Sequence, residues 1–293
     1  MLRAIVSAVC AAGAVCGAGY YALCLVSIRS FLRERAVAAP IEELPAVSVL
    51  KPLKGMDAGM YESFRSHCFQ DYGVYEIIFG VSDLEDAAVA YVRQLQAEFP
   101  QREISLVVCP DAEAMNRKVG NLAQMLPHAR YNFMVVNDSD IWAPPEYLRV
   151  IMRAFQNSKV GMVTAPYYGA PGRSLWSRIE AIGISTDFIA GVLAARRIEG
   201  GIKFGLGSTL AMSREALDAI GGFAPLADYL GDDYELGARI ANAGYEVVLS
   251  RVVVRTHLPD YSWRGFWQHQ LRWSRGIRDS RKKDFVGLGA TFG

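Results

Sequence analysis

Four short apolar runs, each followed by a stretch with helical periodicity, constrain the fold of this chain more than any other feature. The runs cover 46–50 (AVSVL), 75–82 (YEIIFGVS), 104–109 (ISLVVC) and 133–137 (FMVVN). Helical patterns follow at 60–69, about 86–99, around 118–126 and about 145–156. Strands that are apolar on both faces and alternate with helices predict βαβ units, hence a mostly parallel sheet covered on both sides. Ligands of such sheets bind beyond the carboxyl ends of the strands. Asp83 closes the second run, and Asp138 and Asp140 follow the fourth, so these acids are expected at that edge.

The second half is less regular. It predicts a strand over 160–165, a long helix over 174–195 carrying Arg178, Glu180 and Asp187, and a glycine-punctuated segment over 205–213. A helix over 233–242 and short strands over 245–249 and 252–254 follow. Beyond them Trp263, Phe266, Trp267, Gln270, Leu271, Ser274 and Ile277 recur at helical spacing. Seven basic residues and one acid, Asp279, accompany that stripe over 263–283. The pattern suits a basic amphipathic helix on an anionic leaflet, or equally a helix packed on its own domain with a solvated basic face.

The hydrophobic fraction is 52%, and residues 4–28 contain no charge. At about 1.5 Å per residue they are long enough to cross a ~30 Å hydrocarbon core, and longer than the ~7–15 residues of a secretory signal. Arg29, Arg33 and Arg35 follow the segment and Arg3 precedes it, so the bulk of the chain is expected on the cytoplasmic side. The expected organisation is an anchor over 1–28, a basic flank and linker over 29–45, the α/β domain over 46–260, and an interfacial helix over 261–293. That last segment ends in FVGLGATFG, which reads as the start of a further, truncated membrane segment. Cys68 and Cys109, the two cysteines outside the anchor, lack metal-ligand spacing and fit a reducing compartment. A net charge of +1 gives no field that argues for nucleic acid.

The acids carry the chemistry. Asp138 and Asp140 offer hard oxygens to Mg²⁺ or Mn²⁺, which would share the diphosphate of a nucleotide; a helix N-cap before Pro144-Pro145 is the structural alternative. Asp83 is placed to accept from a base or ribose, or else belongs to a helix N-terminus with Glu85 and Asp86. Asp232 and Asp233 (YLGDDYELG) open a helix, where one caps and one could take a proton from an acceptor hydroxyl. A base so near a helix N-terminus needs burial or like charge to offset the dipole. Lys51 and Lys54 follow the first strand, and Asn116, Lys118 and Asn121 lie ahead of the fourth, all candidates for the ligand's phosphates. Arg272 and Trp273 provide a phosphate clamp and a stacking face. Together the stations suit an enzyme that uses a nucleotide-activated sugar.

VSVLKPLKG (47–55), QDYGVYEIIFGVSD (70–83), NRKVGNL (116–122), VVNDSD (135–140), GLGSTLAMSREALDAIGGF (205–223), YLGDDYELG (229–237) and HQLRW (269–273) run in one order over about 230 residues. They resemble the family 2/21-type inverting glycosyltransferases, most closely the ceramide glucosyltransferase-like branch that includes bacterial hopanoid-modifying enzymes. The resemblance implies a GT-A fold, a UDP-sugar donor, a divalent metal and inversion at the anomeric carbon. It implies that Asp83 contacts the nucleotide, Asp138 with Asp140 binds metal, Asp233 is the catalytic base, and Arg272 and Trp273 close over the diphosphate and acceptor. His269 departs from the Gln or Arg that opens this last motif in the family. The expected activity is transfer of glucose or N-acetylglucosamine to a hydroxyl of a membrane lipid, ceramide or hopanoid, reached from the bilayer. A processive polysaccharide synthase and a non-catalytic nucleotide-sugar-binding membrane protein are the alternatives.

Overall fold

The computed structural model describes residues 1–34, 44–110 and 114–280. Helix α1 (Leu2–Arg33) is followed by β1 (Val47–Pro52), α2 (Met60–Cys68), β2 (Tyr75–Val81), α3 (Ala88–Glu98), β3 (Glu103–Val108), α4 (Arg117–Met125) and β4 (Phe133–Val136). Next come β5 (Ile141–Trp142), α5 (Tyr147–Arg153), β6 (Val160–Thr164), β7 (Tyr167–Ala170), α6 (Leu175–Ile182) and α7 (Ile189–Ile198). The last elements are β8 (Leu210–Ser213), α8 (Arg214–Ala219), α9 (Asp232–Asn242), β9 (Glu246–Leu249), β10 (Val254–His257) and α10 (Trp263–Ser280).

Seven strands form the main sheet in the order β3-β2-β1-β4-β8-β6-β9. β1 pairs in parallel with β2 (Val49 opposite Ile77) and with β4 (Val49 opposite Val135), whereas β8 runs antiparallel to β4 and β6. The strand order reverses between β1 and β4, so the crevice at their carboxyl ends is the switch point where such sheets bind ligands. Side chains alternate across the sheet. Val47, Val49, Ile77 and Phe79 join one core with α2, α3 and α5, while Leu50, Ile78, Met134 and Val136 join the other with α4, α8 and α9. Burial on both faces explains why these runs read as continuously apolar.

A second sheet, β5-β10-β7, lies next to the site. Its central strand lies at 254–257 rather than at the expected 252–254, because pairing of Val254 with Tyr167 of β7 and of Thr256 with Ile141 of β5 sets the register. The expected long helix over 174–195 is present as a continuous helical run over 175–198, α6 and α7 being joined by a π-helical stretch, Gly183–Phe188. Gly183 and the β-branched Ile184 and Thr186 are poor helix formers, and the Thr186 hydroxyl donates back to the Ile182 carbonyl at 2.7 Å.

α1 is one helix long and apolar enough to cross a membrane, with a mean hydropathy of 1.8 in its most apolar window. It continues to Arg33, past the expected end of the anchor at 28, because its last turns dock on the domain. Phe31 enters the core beneath α7, Arg196 pairs with both Glu34 oxygens at 2.7 and 3.0 Å, and Arg251 donates to the Leu32 carbonyl at 3.0 Å. Of the expected basic flank and linker over 29–45, residues 35–43 lie outside the described residues, as does the apolar stretch over 285–293.

Candidate active site

The end of β4 is fixed from below. Lys51, the last-but-one residue of β1, is fully buried, and its Nζ donates to the Asp138 carbonyl at 3.0 Å. Burial pushes its pKa down to about 7, against the pull of Asp138 and Asp140. Lys51 therefore holds the backbone of the acidic turn instead of facing the open edge where it was expected. Asn137 is buried beside it and donates to the Ser208 carbonyl at 2.6 Å and to Tyr147 at 2.9 Å, tying the turn to the glycine-rich segment.

The helix-cap alternative for Asp138 and Asp140 does not hold. α5 starts only at Tyr147, and neither acid caps it. Asp138 turns to α4, where Lys118 Nζ lies 2.7 Å from Asp138 Oδ1 and 3.6 Å from Asp232 Oδ2. Burial works against that ammonium, but Asp138 and Asp232 raise its pKa well above normal. Asn116 caps α4 through its carbonyl oxygen and donates to Asp232 at 3.2 Å. Asp232 is thus the first residue of α9, bonded sideways to α4. The N-cap is Gly231, which has no capping side chain.

Asp140 is oriented by the second sheet, accepting from Thr256 of β10 at 2.6 Å. Burial, then the neighbouring Asp138 charge, pushes its pKa up to about 6. Ser139 donates to Asp57, which brings another carboxylate to this edge.

Asp233 reaches the same place from α9. A β-carbon built on Gly207 would lie 3.2 Å from Asp233 Oδ2 and 3.4 Å from Asp138 Oδ2, so the two carboxylates flank one glycine. Burial, then Asp232, pushes the pKa of Asp233 up to about 6, against Lys118 and the N–H of Tyr234. The helix dipole is offset by the two factors that a base at this position requires.

α10 forms the other wall. Trp176 of α6 packs on Trp263 and Phe266 with centroids 4.7 and 5.7 Å apart, while Trp263 and Trp267 stay 54% and 52% exposed. One side of this helix packs on α6, as the second expectation had it, and an aromatic side stays exposed. Trp273 lies against Phe188 and against the His269 ring at 5.4 and 5.5 Å. Arg272 Nη2 is 3.0 Å from His269 Nδ1.

Two expected residues stand apart from this cluster. Asp83 is exposed beyond β2 and accepts from the Glu85 N–H at 3.0 Å, and Lys54 is exposed on the loop after β1. The residues that sequence reasoning missed are Thr256, Gly207, Tyr167 and Glu180. Tyr167 lies between the two walls, within the field of Asp233, Asp138, Asp140 and Glu180, and burial first, then those charges, raises its pKa well above normal. Glu180 offered one signal, an acid within an apolar helix, and it is 3% exposed.

Two carboxylates of one turn suit a hard cation that shares its ligands with a phosphate. Among the described residues no three His, Cys, Asp or Glu side chains are grouped to hold a metal, so a cation on Asp138 and Asp140 would need further oxygens from its ligands. Burial first, and like charge after it, raises Asp140 and Asp233, and a divalent cation would offset the like charge.

Comparison with known proteins agrees with this geometry. Over 231 residues the chain is 27% identical to ceramide glucosyltransferase 3 of Caenorhabditis elegans, covering 78% of this chain and 50% of the relative. Over 200 residues it is 27% identical to beta-monoglucosyldiacylglycerol synthase of Trichormus variabilis, covering 67% and 41%. The chain thus spans about half the length of the curated relatives it matches. Among solved structures, a mannosyltransferase of Pyrobaculum calidifontis in complex with GDP-Man and Mn²⁺ superposes with a TM-score of 0.67 at 20% identity, covering 94% of this chain and 75% of that one, and shares the GT-A fold. The model of glycosyl transferase family 21 matches residues 9–292, and the chain belongs to that family.

Proposed function

We propose that this chain is a membrane-bound, metal-dependent, inverting glycosyltransferase that moves glucose or N-acetylglucosamine from a UDP-sugar to a hydroxyl of a membrane lipid of ceramide or hopanoid type. The observation that carries the reading is the gap above Gly207, where Asp138 and Asp233 face each other at the switch point of the sheet.

Asp233 is the base. With a pKa near 6 it is ionised at neutral pH yet basic enough to take the acceptor proton as the acceptor oxygen attacks the anomeric carbon opposite the leaving diphosphate. Asp138 and Asp140 would hold a divalent cation, which when bound supplies positive charge to the departing nucleoside diphosphate. Lys118 adds fixed positive charge beside Asp138, Arg272 is assigned to the leaving diphosphate, and Trp273 lends a flat face to the acceptor side. Asp83 and Lys54, exposed beyond β2 and β1, are assigned to the nucleotide, and Lys51 supports the Asp138 turn from beneath. The docked α1 and the exposed Trp263 and Trp267 favour an acceptor that arrives from the bilayer, with the domain on the cytoplasmic side.

The test is a transfer assay in membranes containing the chain. Labelled UDP-glucose and UDP-GlcNAc are supplied separately, with Mn²⁺ or EDTA, and the lipids are extracted. A labelled lipid that requires metal, is lost in Asp233→Asn and carries an inverted anomeric centre supports the reading. UDP binding without product from either donor overturns it.

A further inference from the structure

A buried acid outside the three carboxylate stations meets the last motif. Glu180 of α6 faces two consecutive residues of α10. Gln270 donates to Glu180 Oε2, and His269 Nε2 lies 3.4 Å from Oε1. The other His269 nitrogen, Nδ1, is 3.0 Å from Arg272 Nη2. A guanidinium only donates, so Nδ1 must accept, and the ring proton must sit on Nε2, aimed at Glu180. The imidazole lies near two other rings, Tyr261 at 5.3 Å and Trp273 at 5.5 Å. The direction of its hydrogen bonds is set by the partners at each end.

We propose that Glu180 is a positioning residue that acts through His269 to aim the Arg272 guanidinium at the leaving diphosphate. The inference rests on the transferase reading of the site. It also accounts for histidine at position 269. The position needs one donor towards Glu180 and one acceptor towards Arg272, and a neutral imidazole supplies both, as an amide would. Glu180 supplies the charge that makes this direction favourable, since a buried carboxylate must be satisfied by donors. Without it the imidazole is free to take the other tautomer, which presents an N–H to Arg272 and turns it away.

The experiment uses the full chain in lipid nanodiscs, with UDP-glucose or UDP-GlcNAc as donor, whichever the wild type turns over. Glu180→Gln and His269→Leu are each expected to lower kcat about 10- to 100-fold, the scale of a misplaced catalytic group, with donor KM within about three-fold of wild type. The double variant is expected to be no slower than the worse single one, because both break the same chain of contacts. His269→Gln should recover at least about ten-fold of the rate lost in His269→Leu, since the amide restores the donor–acceptor pair. Wild-type kcat in Glu180→Gln, or a double variant as slow as the product of the two singles, overturns the proposal and leaves the transferase reading intact. If Glu180→Gln fails to fold, the His269→Leu and His269→Gln pair decides, and no recovery by Gln counts against the proposal.

If the wild type transfers nothing, the transferase reading falls, and ¹⁵N-histidine spectra still decide the geometry. The signal lost in His269→Gln identifies His269. A proton on Nε2 and a bare Nδ1, disturbed in Glu180→Gln, support the relay, whereas a proton on Nδ1 overturns it.

Discussion

Asp138 and Asp233 approach each other across Gly207, close enough that a methyl group on its Cα would lie 3.4 and 3.2 Å from their Oδ2 atoms. One acid lies two residues beyond a strand of the sheet and the other is the second residue of a helix remote in sequence. The empty side of a glycine keeps the space between them.

Gly207→Ala tests that space directly. The new methyl meets two flexible carboxylate ends, so folding should survive, with a melting temperature within a few degrees of wild type. Transfer should fall about ten-fold or more, because the methyl fills the space between the two carboxylates and pushes Asp233 Oδ2 aside by a few tenths of an ångström. Circular dichroism melts and kcat from the lipid assay check the two halves of this expectation.

The contrasting glycine is Gly237 of α9, where a β-carbon would lie 2.4 Å from the Gly205 nitrogen and from the Phe204 carbonyl carbon. Those atoms are backbone and cannot swing aside. Gly237→Ala should therefore destabilise the fold by about 1–3 kcal/mol or more, read as an earlier denaturation midpoint. It should also loosen Asp233, whose carbonyl accepts from the Gly205 N–H at 3.2 Å.

Asp233 gives a pH dependence with opposite signs in rate and stability. Its base form is required, so kcat/KM should rise with pH and level off above about 6. The folded protein holds this proton more tightly than the unfolded chain, whose carboxyl titrates near the usual 3.8. The stabilisation is complete below that value and is lost as pH rises through about 6. Asp233→Asn escapes the loss. It should melt higher than wild type at pH 7.5, with the gap closing towards pH 4, while transfer drops by about 10²–10⁴-fold.

Lys118 bridges Asp138 and Asp232, so Lys118→Met leaves both carboxylates without their shared cation. We expect a lower melting temperature at pH 7.5 that recovers as the acids protonate. UDP affinity should weaken about ten-fold, the worth of one charge-assisted hydrogen bond. Isothermal titration with UDP and Mn²⁺ reads the second effect, and unchanged affinity would remove Lys118 from the donor site.

Chelation should abolish transfer, and Mn²⁺ should restore it in the wild type. Asp138→Asn and Asp140→Asn should each raise the metal concentration needed for half-maximal rate, since each removes one carboxylate charge from the proposed metal pair. A rate indifferent to EDTA would count against the proposed metal pair.

The sequence by itself determined the βαβ half, because a strand buried on both faces leaves a continuous apolar run that composition alone reveals. Asp138 and Asp140 were legible for the same reason, standing where such a run stops. The long apolar α1 was legible from its length and lack of charge, though not its docking through Phe31 and Arg196, a contact between distant segments. Tertiary structure alone decided that Lys51 points inward to the Asp138 carbonyl, that Asp232 binds α4 instead of capping α9, and that Asp233 is buried enough to hold a proton near pH 6. Glu180 shows the limit most plainly. An acid within an apolar helix was its one local signal, and nothing local names its partners, because His269 and Gln270 come from a helix far along the chain. Periodicity records which face of an element is buried, whereas pairing between elements, and the electrostatics that follow from it, exist only once the chain has packed.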